Sequence, residues 1–277
     1  MSVLTLVATP IGNLGDLSPR AVEALAAADV VACEDTRRTG RLLQHAGVDG
    51  VRLMRLDAHT EDRAAQRVVA CLDEGQQVAV VTDAGTPGIS DPGERLVNIA
   101  LAAGHQVTVV PGPAAPVAAL VISGLPTQRW CMEGFLPRKG QERKQRLAEI
   151  AVEERTTVLF ESPKRVGATV ADLLELCGPD RPMAIVREVT KLHEEVFRGS
   201  LQEASDWASK EIKGEVVLVL GGAPAPAEAD DQRLGQVLEE ILASGVSTRD
   251  AADEAARRLG VSRRRAYSSA LDLRGDR

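Results

Sequence analysis

Residues 81–93 read VTDAGTPGISDPG and follow the apolar run Gln77-Val78-Ala79-Val80-Val81. Three glycines and two prolines in so short a stretch rule out a helix or strand interior. Glycine loses the most chain entropy on ordering, and proline has no N–H to donate. The segment is therefore a tight loop leaving the carboxyl end of a buried strand, the place where open α/β sheets bind ligands. A second such loop, ATPIGNLGD at 8–16, follows the first apolar segment. Neither is a phosphate cradle. A dinucleotide loop needs GxGxxG running into a helix, and here Pro10 stands where the first glycine would; neither loop holds the GK[ST] of a triphosphate site. Both suit close approach of backbone to a ligand, yet they lack a phosphate lysine, and the second carries Asp83 and Asp91. A ligand with little negative charge, or with a positive centre, fits better. S-adenosyl-L-methionine, a sulfonium beside an adenosine, is such a ligand.

The elements that hold these loops follow from the apolar pattern. β-Branched runs at 3–8, 29–33, 51–56, 77–82 and 106–110 alternate with helical patterns at 18–28, 36–46, 60–74 and 92–103. Near-continuous apolar strands alternating with helices predict a mostly parallel sheet covered on both faces. After VVPGPAAP the pattern changes. A helix is expected at 114–122 and strands at 130–135, 156–161, 183–188, 195–198 and 215–220, which make a second α/β lobe with a mixed sheet. A Pro/Ala/acidic linker follows, then a helix at 233–243. Two further helices, STRDAADEAARRL and the one restarting at Ser262, are joined through Gly260 in a helix-turn-helix pattern. The expected architecture is α/β and two-lobed: residues 1–112 form a parallel-sheet lobe, 113–222 a mixed-sheet lobe, 223–231 the linker and 232–277 a helical unit.

Bulk properties narrow the classes. No apolar run approaches the ~18 residues of a membrane-spanning helix, and the N-terminus lacks the basic segment of a signal peptide. Cys33, Cys71, Cys131 and Cys177 are far apart, which fits reduced thiols in the cytoplasm and gives a zinc site little support. The formal charge of −7 argues against a generally nucleic-acid-binding surface. Positive charge is concentrated in two places. RKGQERKQR at 138–146 has five basic residues against one Glu, and residues 257–277 have seven against two Asp.

The order VATPIGNLGDLSPRA, CEDTRRTGRLL, VTDAGTPGISDPG, VVPGPAAPVAAL, EGFLPRKGQER, FESPKRV and REVTKLHEEVFRG resembles the ribosomal RNA small subunit methyltransferase I family, within the tetrapyrrole methylase superfamily of class III methyltransferases. The resemblance spans residues 3–221, and the helical tail extends it. GTPGISDPG together with FESPKR is its most specific part. It implies a bilobal fold with S-adenosylmethionine bent into the cleft. By position, Pro10 packs near the cofactor, Asp83, Ala84 and Gly85 offer backbone groups to the methionine part, and Ile89 and Ser90 lie beside them. Ala114, Ala115 and Ser162 line the adenosine side, and Thr190 joins them by analogy with the tetrapyrrole members.

The resemblance further implies methyl transfer to the ribose 2′-hydroxyl of a cytidine in 16S rRNA of the small ribosomal subunit, by a homodimer. Displacement at a sulfonium methyl needs alignment more than acid, since the leaving thioether is neutral. The hydroxyl needs a base or a cation beside the developing alkoxide. Polar groups after apolar strands are the candidates: Glu34, Asp35 and Arg37, then His59, then Glu161 and Lys164, then Glu188 and Lys191. Asp35 and Lys164 rank first, with Arg37 and Glu188 behind them; a structural ion pair of Asp35 with Arg37 or Arg38 is the plain alternative. Arg138, Lys139 and Arg143 in one basic patch, and Arg263, Arg264 and Arg265 in the other, are the candidate RNA contacts. Two rival readings stand: methylation of a tetrapyrrole precursor, and a ligand-sensing DNA-binding regulator.

Overall fold

The computed structural model describes residues 2–56, 61–224 and 230–275. The chain divides into two compact units, Met1–Ala223 and Pro224–Arg277.

The first unit begins with β1 (Val3–Val7), α1 (Pro19–Ala26), β2 (Val30–Cys33), α2 (Thr36–Ala46), β3 (Arg52–Arg55), α3 (Glu61–Asp73), β4 (Val78–Val80), α4 (Glu94–Ala102) and β5 (Gln106–Val110). The five strands are all parallel, in the order β3-β2-β4-β1-β5. β2 and β4 are buried along their whole length, which is why they read as unbroken apolar runs. Leu25 of α1 and Leu43 of α2 cover one face of the sheet. Val68 and Leu72 of α3 and Leu96 of α4 cover the other. The helix starts follow from their caps: Ser18 accepts from the Ala21 N–H ahead of Pro19, and Asp35 accepts from the Arg37 N–H.

A second sheet is built from β6 (Trp130–Phe135), β7 (Thr156–Glu161), β8 (Pro182–Arg187), β9 (Glu195–Ser200) and β10 (Val216–Leu220). Its order is β6-β7-β10-β8-β9, and only the β6–β7 pair is parallel. The mixed sheet expected from the sequence is present. One face packs on α6 (Gln141–Val152), α7 (Val166–Cys177) and α8 (Leu201–Trp207), through Leu147, Val170 and Leu201. The other packs on α5 (Ala115–Ser123), through Ala119 and Leu120.

Helices α6 and α7 go beyond the sequence expectation. α6 buries little besides Leu147 and Ile150, so its sequence reads as a charge run. Buried Arg181 joins this end of the lobe together. Its guanidinium donates to Gly221 O at 2.6 Å, Ala151 O at 2.9 Å and Glu153 O at 3.0 Å. It thereby satisfies carbonyls that the end of α6 leaves without helical partners.

The second unit is a three-helix bundle of α9 (Asp231–Ala243), α10 (Thr248–Leu259) and α11 (Arg263–Arg274). Leu234, Leu238, Ala252, Ala255 and Ala266 form its core. Gly260 ends α10 at φ 66°, a left-handed conformation that glycine adopts without strain, and Ser262 caps α11. Residues 225–229 of the expected linker lie outside the described residues. Among the described residues the four cysteines are free, no His/Cys/Asp/Glu group could hold a metal ion, and no helix is long and apolar enough to cross a membrane.

Candidate active site

The loops after β1 and β4 are fastened to each other. The Thr9 N–H donates to Gly85 O at 2.8 Å, the Gly85 N–H donates back to Thr9 O at 3.1 Å, and the Thr9 hydroxyl donates to Thr82 O at 3.2 Å. Gly85 holds φ 89°, where a side chain would strain the backbone, and Ser90 holds φ 63°. A cavity of about 340 Å³ lies between these loops and the second sheet. Ile11, Ala84, Gly85, Ile89 and Ser90 wall it on one side, Ala114 and Ala115 at the start of α5 close it, and Phe160, Ser162 and Val189 wall the other side.

Seven of the expected cofactor residues line this cavity: Ala84, Gly85, Ile89, Ser90, Ala114, Ala115 and Ser162. Pro10 and Asp83 line a neighbouring cleft of about 290 Å³ instead, with Thr9, Arg38 and Thr82. Thr190 lines neither. Its backbone is left-handed at φ 68°, and its hydroxyl oxygen is buried without a hydrogen-bond partner among the described residues.

The donor set suits a sulfonium nucleoside. Among the described residues no Lys, Arg or His lines the cavity, whereas Asp91, Glu161 and Glu215 do. Small side chains leave backbone groups accessible, and Phe160 supplies a flat apolar face. A phosphate-bearing cofactor would find no cation here.

Beside the cavity lies an acidic relay. The Thr82 hydroxyl donates to Glu34 Oε1 at 3.3 Å, and Asp91 lies close by. Burial raises the proton affinity of Glu34 first, with Asp91 and Asp83 adding repulsion, and its pKa reaches about 7. Burial likewise raises that of Asp91. Asp83 is engaged by Arg38 at 3.3 Å and by the Asp35 N–H at 3.3 Å.

Asp35 has a different environment. It caps α2, accepts from the Arg37 N–H at 2.8 Å and pairs with the Arg37 guanidinium at 3.3 Å. These bonds hold its carboxyl below the usual range. Arg37 is otherwise solvent-exposed. Lys164 is exposed in a groove outside the cavity, with Pro163 and Gly214 common to both. Glu188 holds φ 52°, accepts from Lys191 Nζ at 2.8 Å and from the Glu215 N–H at 2.8 Å, and has its pKa lowered mainly by the Lys191 bond. Glu161 accepts from the Thr169 hydroxyl at 2.6 Å and the Ser162 N–H at 2.7 Å, so it braces the start of α7. His59 lies outside the described residues.

The basic patches separate in the same way. Arg143 bonds Asp172 at 2.6 Å, Thr169 and Pro137 O, and only 11 % of its side chain is exposed. It belongs to the framework between α6 and α7 and does not face an open surface. Arg138 and Lys139 are exposed. In the bundle Arg263 pairs with Asp253 and Arg265 with Asp231, while Arg264 is exposed. Thr82 and Phe160 carry no mark in the sequence, since Thr82 is one polar residue among several in its loop and Phe160 reads as the last apolar residue of a buried strand.

Against known proteins, the family model of tetrapyrrole (corrin/porphyrin) methylases matches residues 3–205. The chain belongs to the tetrapyrrole methylase family. Members of the tetrapyrrole methylase family are methyltransferases, and S-adenosylmethionine is the cofactor of this chain. Its relatives within the family extend past the matched segment. Ribosomal RNA small subunit methyltransferase I of Mycobacterium tuberculosis (strain CDC 1551 / Oshkosh) is 49% identical, covering 98% of this chain and 95% of its own length. The protein of that name from Synechocystis sp. (strain ATCC 27184 / PCC 6803 / Kazusa) is 43% identical over 100% of both, and that from Escherichia coli O157:H7 is 41% identical over 98% and 96%. Among solved structures, the methyltransferase CobJ superposes with a TM-score of 0.64 at 22% identity, over 83% of this chain and 98% of its own. Uroporphyrin-III C-methyl transferase from Thermus thermophilus, complexed with S-adenyl homocysteine, gives 0.57 at 21% over 80% and 97%. These two share the tetrapyrrole methylase fold.

Proposed function

We propose that this chain transfers the methyl group of S-adenosylmethionine to the ribose 2′-hydroxyl of a cytidine in 16S rRNA, acting on the small ribosomal subunit in the cytoplasm. The observation that carries this reading is the near-full-length similarity to proteins called ribosomal RNA small subunit methyltransferase I, which continues through the helical bundle beyond residue 205. The rival reading as a tetrapyrrole methylase in the strict sense leaves that bundle and the basic stretch after Pro137 without a role. A ligand-sensing DNA-binding regulator could use the cavity, but it is not a methylase, and the family model that matches residues 3–205 is one of methylases.

In this reading two α/β lobes, residues 1–112 and 113–222, flank the cavity, and residues 232–277 add affinity for RNA. The ten residues expected around the cofactor hold it, with Pro10, Asp83 and Thr190 acting from beside the cavity. When bound, S-adenosylmethionine supplies an electrophilic methyl group on a sulfonium whose leaving thioether is neutral. The chain's own task is to receive the proton of a weakly acidic hydroxyl as the O–C bond forms. Glu34 suits that task better than Asp35, since a base is effective when its proton affinity lies near the working pH. Thr82 orients the Glu34 carboxylate. Arg37 is left to steady Asp35, and Glu188 to fix Lys191.

Exposed Val109, Val117 and Val121 provide an apolar surface for a second copy, consistent with a homodimer. The deciding experiment is transfer of labelled methyl groups to small subunits from cells lacking this gene, with the modified nucleotide mapped. Label entering uroporphyrinogen but not the subunits would refute the proposal.

A further inference from the structure

A bulge in β6 aims Phe135 where a regular strand would not put it. Met132 stands opposite Val158, yet Leu159 is met by Gly134, so Glu133 is the extra residue. Gly134 adopts φ 64°, as the glycine of such a bulge does. Side chains alternate along a strand, so one inserted residue turns everything after it to the opposite face. Without the insertion Gly134 would face Phe160. With it Phe135 does, the two rings lying 5.4 Å apart and tilted by 33°.

Phe135 lines the cavity and still remains 58% exposed, so it forms the rim. The chain has only three Phe, two Trp and one Tyr. Phe197 and Trp207 pack on each other beneath the second sheet, and Trp130 and Phe160 pack against its other face. Phe135 gains little from burial by comparison and keeps an open face at the mouth of the cavity.

Free positive charge lies on the loops that follow Phe135 and Phe160. The Arg165 guanidinium donates to Leu136 O at 2.9 Å, which fixes the loop after β6 beside the loop after β7. These loops carry Arg138, Lys139 and Lys164, all exposed and without an ion pair among the described residues. Their neighbours Arg143, Arg146 and Arg165 are engaged by Asp172, Glu133 and Glu161.

We propose that Phe135 is a stacking platform for a base of the RNA strand entering the cavity, with Lys164 and Arg138 holding the adjoining phosphates. The inference rests on the RNA reading above and adds to it a binding subsite on the catalytic unit. Unpaired RNA is held by stacking on aromatic rings, and a reacting nucleotide reaches an enclosed site only after leaving its own stack. In this arrangement Lys164 is a phosphate anchor rather than a group at the reacting atoms.

The test uses the full chain with small ribosomal subunits. Phe135→Ala raises the KM for subunits roughly tenfold, and Phe135→Trp restores it. Affinity for S-adenosylhomocysteine, read by calorimetry, stays the same in both. Lys164→Gln lowers the slope of log affinity against log salt by about one. An unchanged KM in Phe135→Ala overturns the subsite, and so does a loss of S-adenosylhomocysteine affinity equal to the loss for subunits. If the wild-type chain leaves subunits unmethylated, the RNA reading falls and the subsite with it. If the wild type methylates them and Phe135→Ala matches it, the subsite alone falls.

Discussion

Lys191, on the loop after β8, lays its methylene stem over Gly12, on the loop after β1. A methyl group at Gly12 would overlap the stem and touch the Thr190 hydroxyl. The Lys191 ammonium meanwhile bridges Glu188 at 2.8 Å and Glu215 at 3.0 Å. Gly12→Val must therefore displace Lys191 from both carboxylates. We expect a loss of about 1–3 kcal/mol from overpacking, together with weaker S-adenosylhomocysteine binding, since Ile11 and Glu215 line the cavity on the two sides. Urea unfolding and calorimetry check the two effects separately.

Glu34 and Asp35 are adjacent in sequence and opposite in proton affinity. Glu34→Gln should lower methyl transfer by roughly a hundredfold or more, the range of a lost general base. Asp35→Asn should leave transfer nearly intact, because asparagine is also a good helix cap. Transfer by the wild type should rise with pH through about 7, where the Glu34 carboxyl ionises, and this limb should vanish in Glu34→Gln. A profile whose limb is set near pH 4 would remove Glu34 from the role.

The same group has an effect on stability. Its folded pKa of about 7 lies above the ordinary value of 4.5, so the folded state retains a proton that the unfolded chain has lost. Stability from this group is present below pH 4.5 and disappears as pH rises through 7. Glu34→Gln should accordingly melt higher than the wild type at pH 8 and show little difference at pH 4. Equal melting shifts at both pH values would contradict this sign.

Removing Arg181 should be costly without touching the site. Arg181→Met leaves the carbonyls of Gly221, Ala151 and Glu153 without their donor. Hydrogen bonds to charged groups contribute about 1.5–3 kcal/mol each at most, and unmet buried carbonyls add to the loss. We expect several degrees off the melting temperature, with the affinity of the remaining folded protein for S-adenosylhomocysteine unchanged.

Deleting residues 229–277 should leave cofactor binding intact, weaken binding to subunits and flatten its salt dependence, because phosphate contacts release counterions. Within the bundle, Arg264→Gln should weaken binding more than Arg263→Gln, since Arg263 already pairs with Asp253. A truncated chain that methylates at low subunit concentration as well as the full chain would show the bundle to be dispensable.

The central strands were legible because strands buried on both faces are apolar at every position, as in Val30–Cys33 and Val216–Leu220. The glycine loops were legible because backbone geometry at Gly85 narrows the choice of residue. The roles of charged residues were not. Arg143 and Arg138 belong to one basic run, and only the packing of α6 on α7 separates the brace from the exposed cation. Glu34 and Asp35 differ because one turns inward toward Thr82 and the other begins a helix, a distinction that no spacing carries. Phe135 owes its aim to a single inserted residue, which leaves no periodic trace.

The order β6-β7-β10-β8-β9 puts the last strand of the sheet in its middle. While the chain is being synthesised, β7 and β8 exist for some time with no neighbour between them, each showing an unsatisfied row of backbone donors and acceptors. Val216–Leu220 bridges them on both sides at once. A chain truncated before this segment therefore carries two open edges, the kind of surface that promotes aggregation. For an enzyme of this build, a premature stop codon anywhere ahead of residue 216 leaves the second sheet without its central strand.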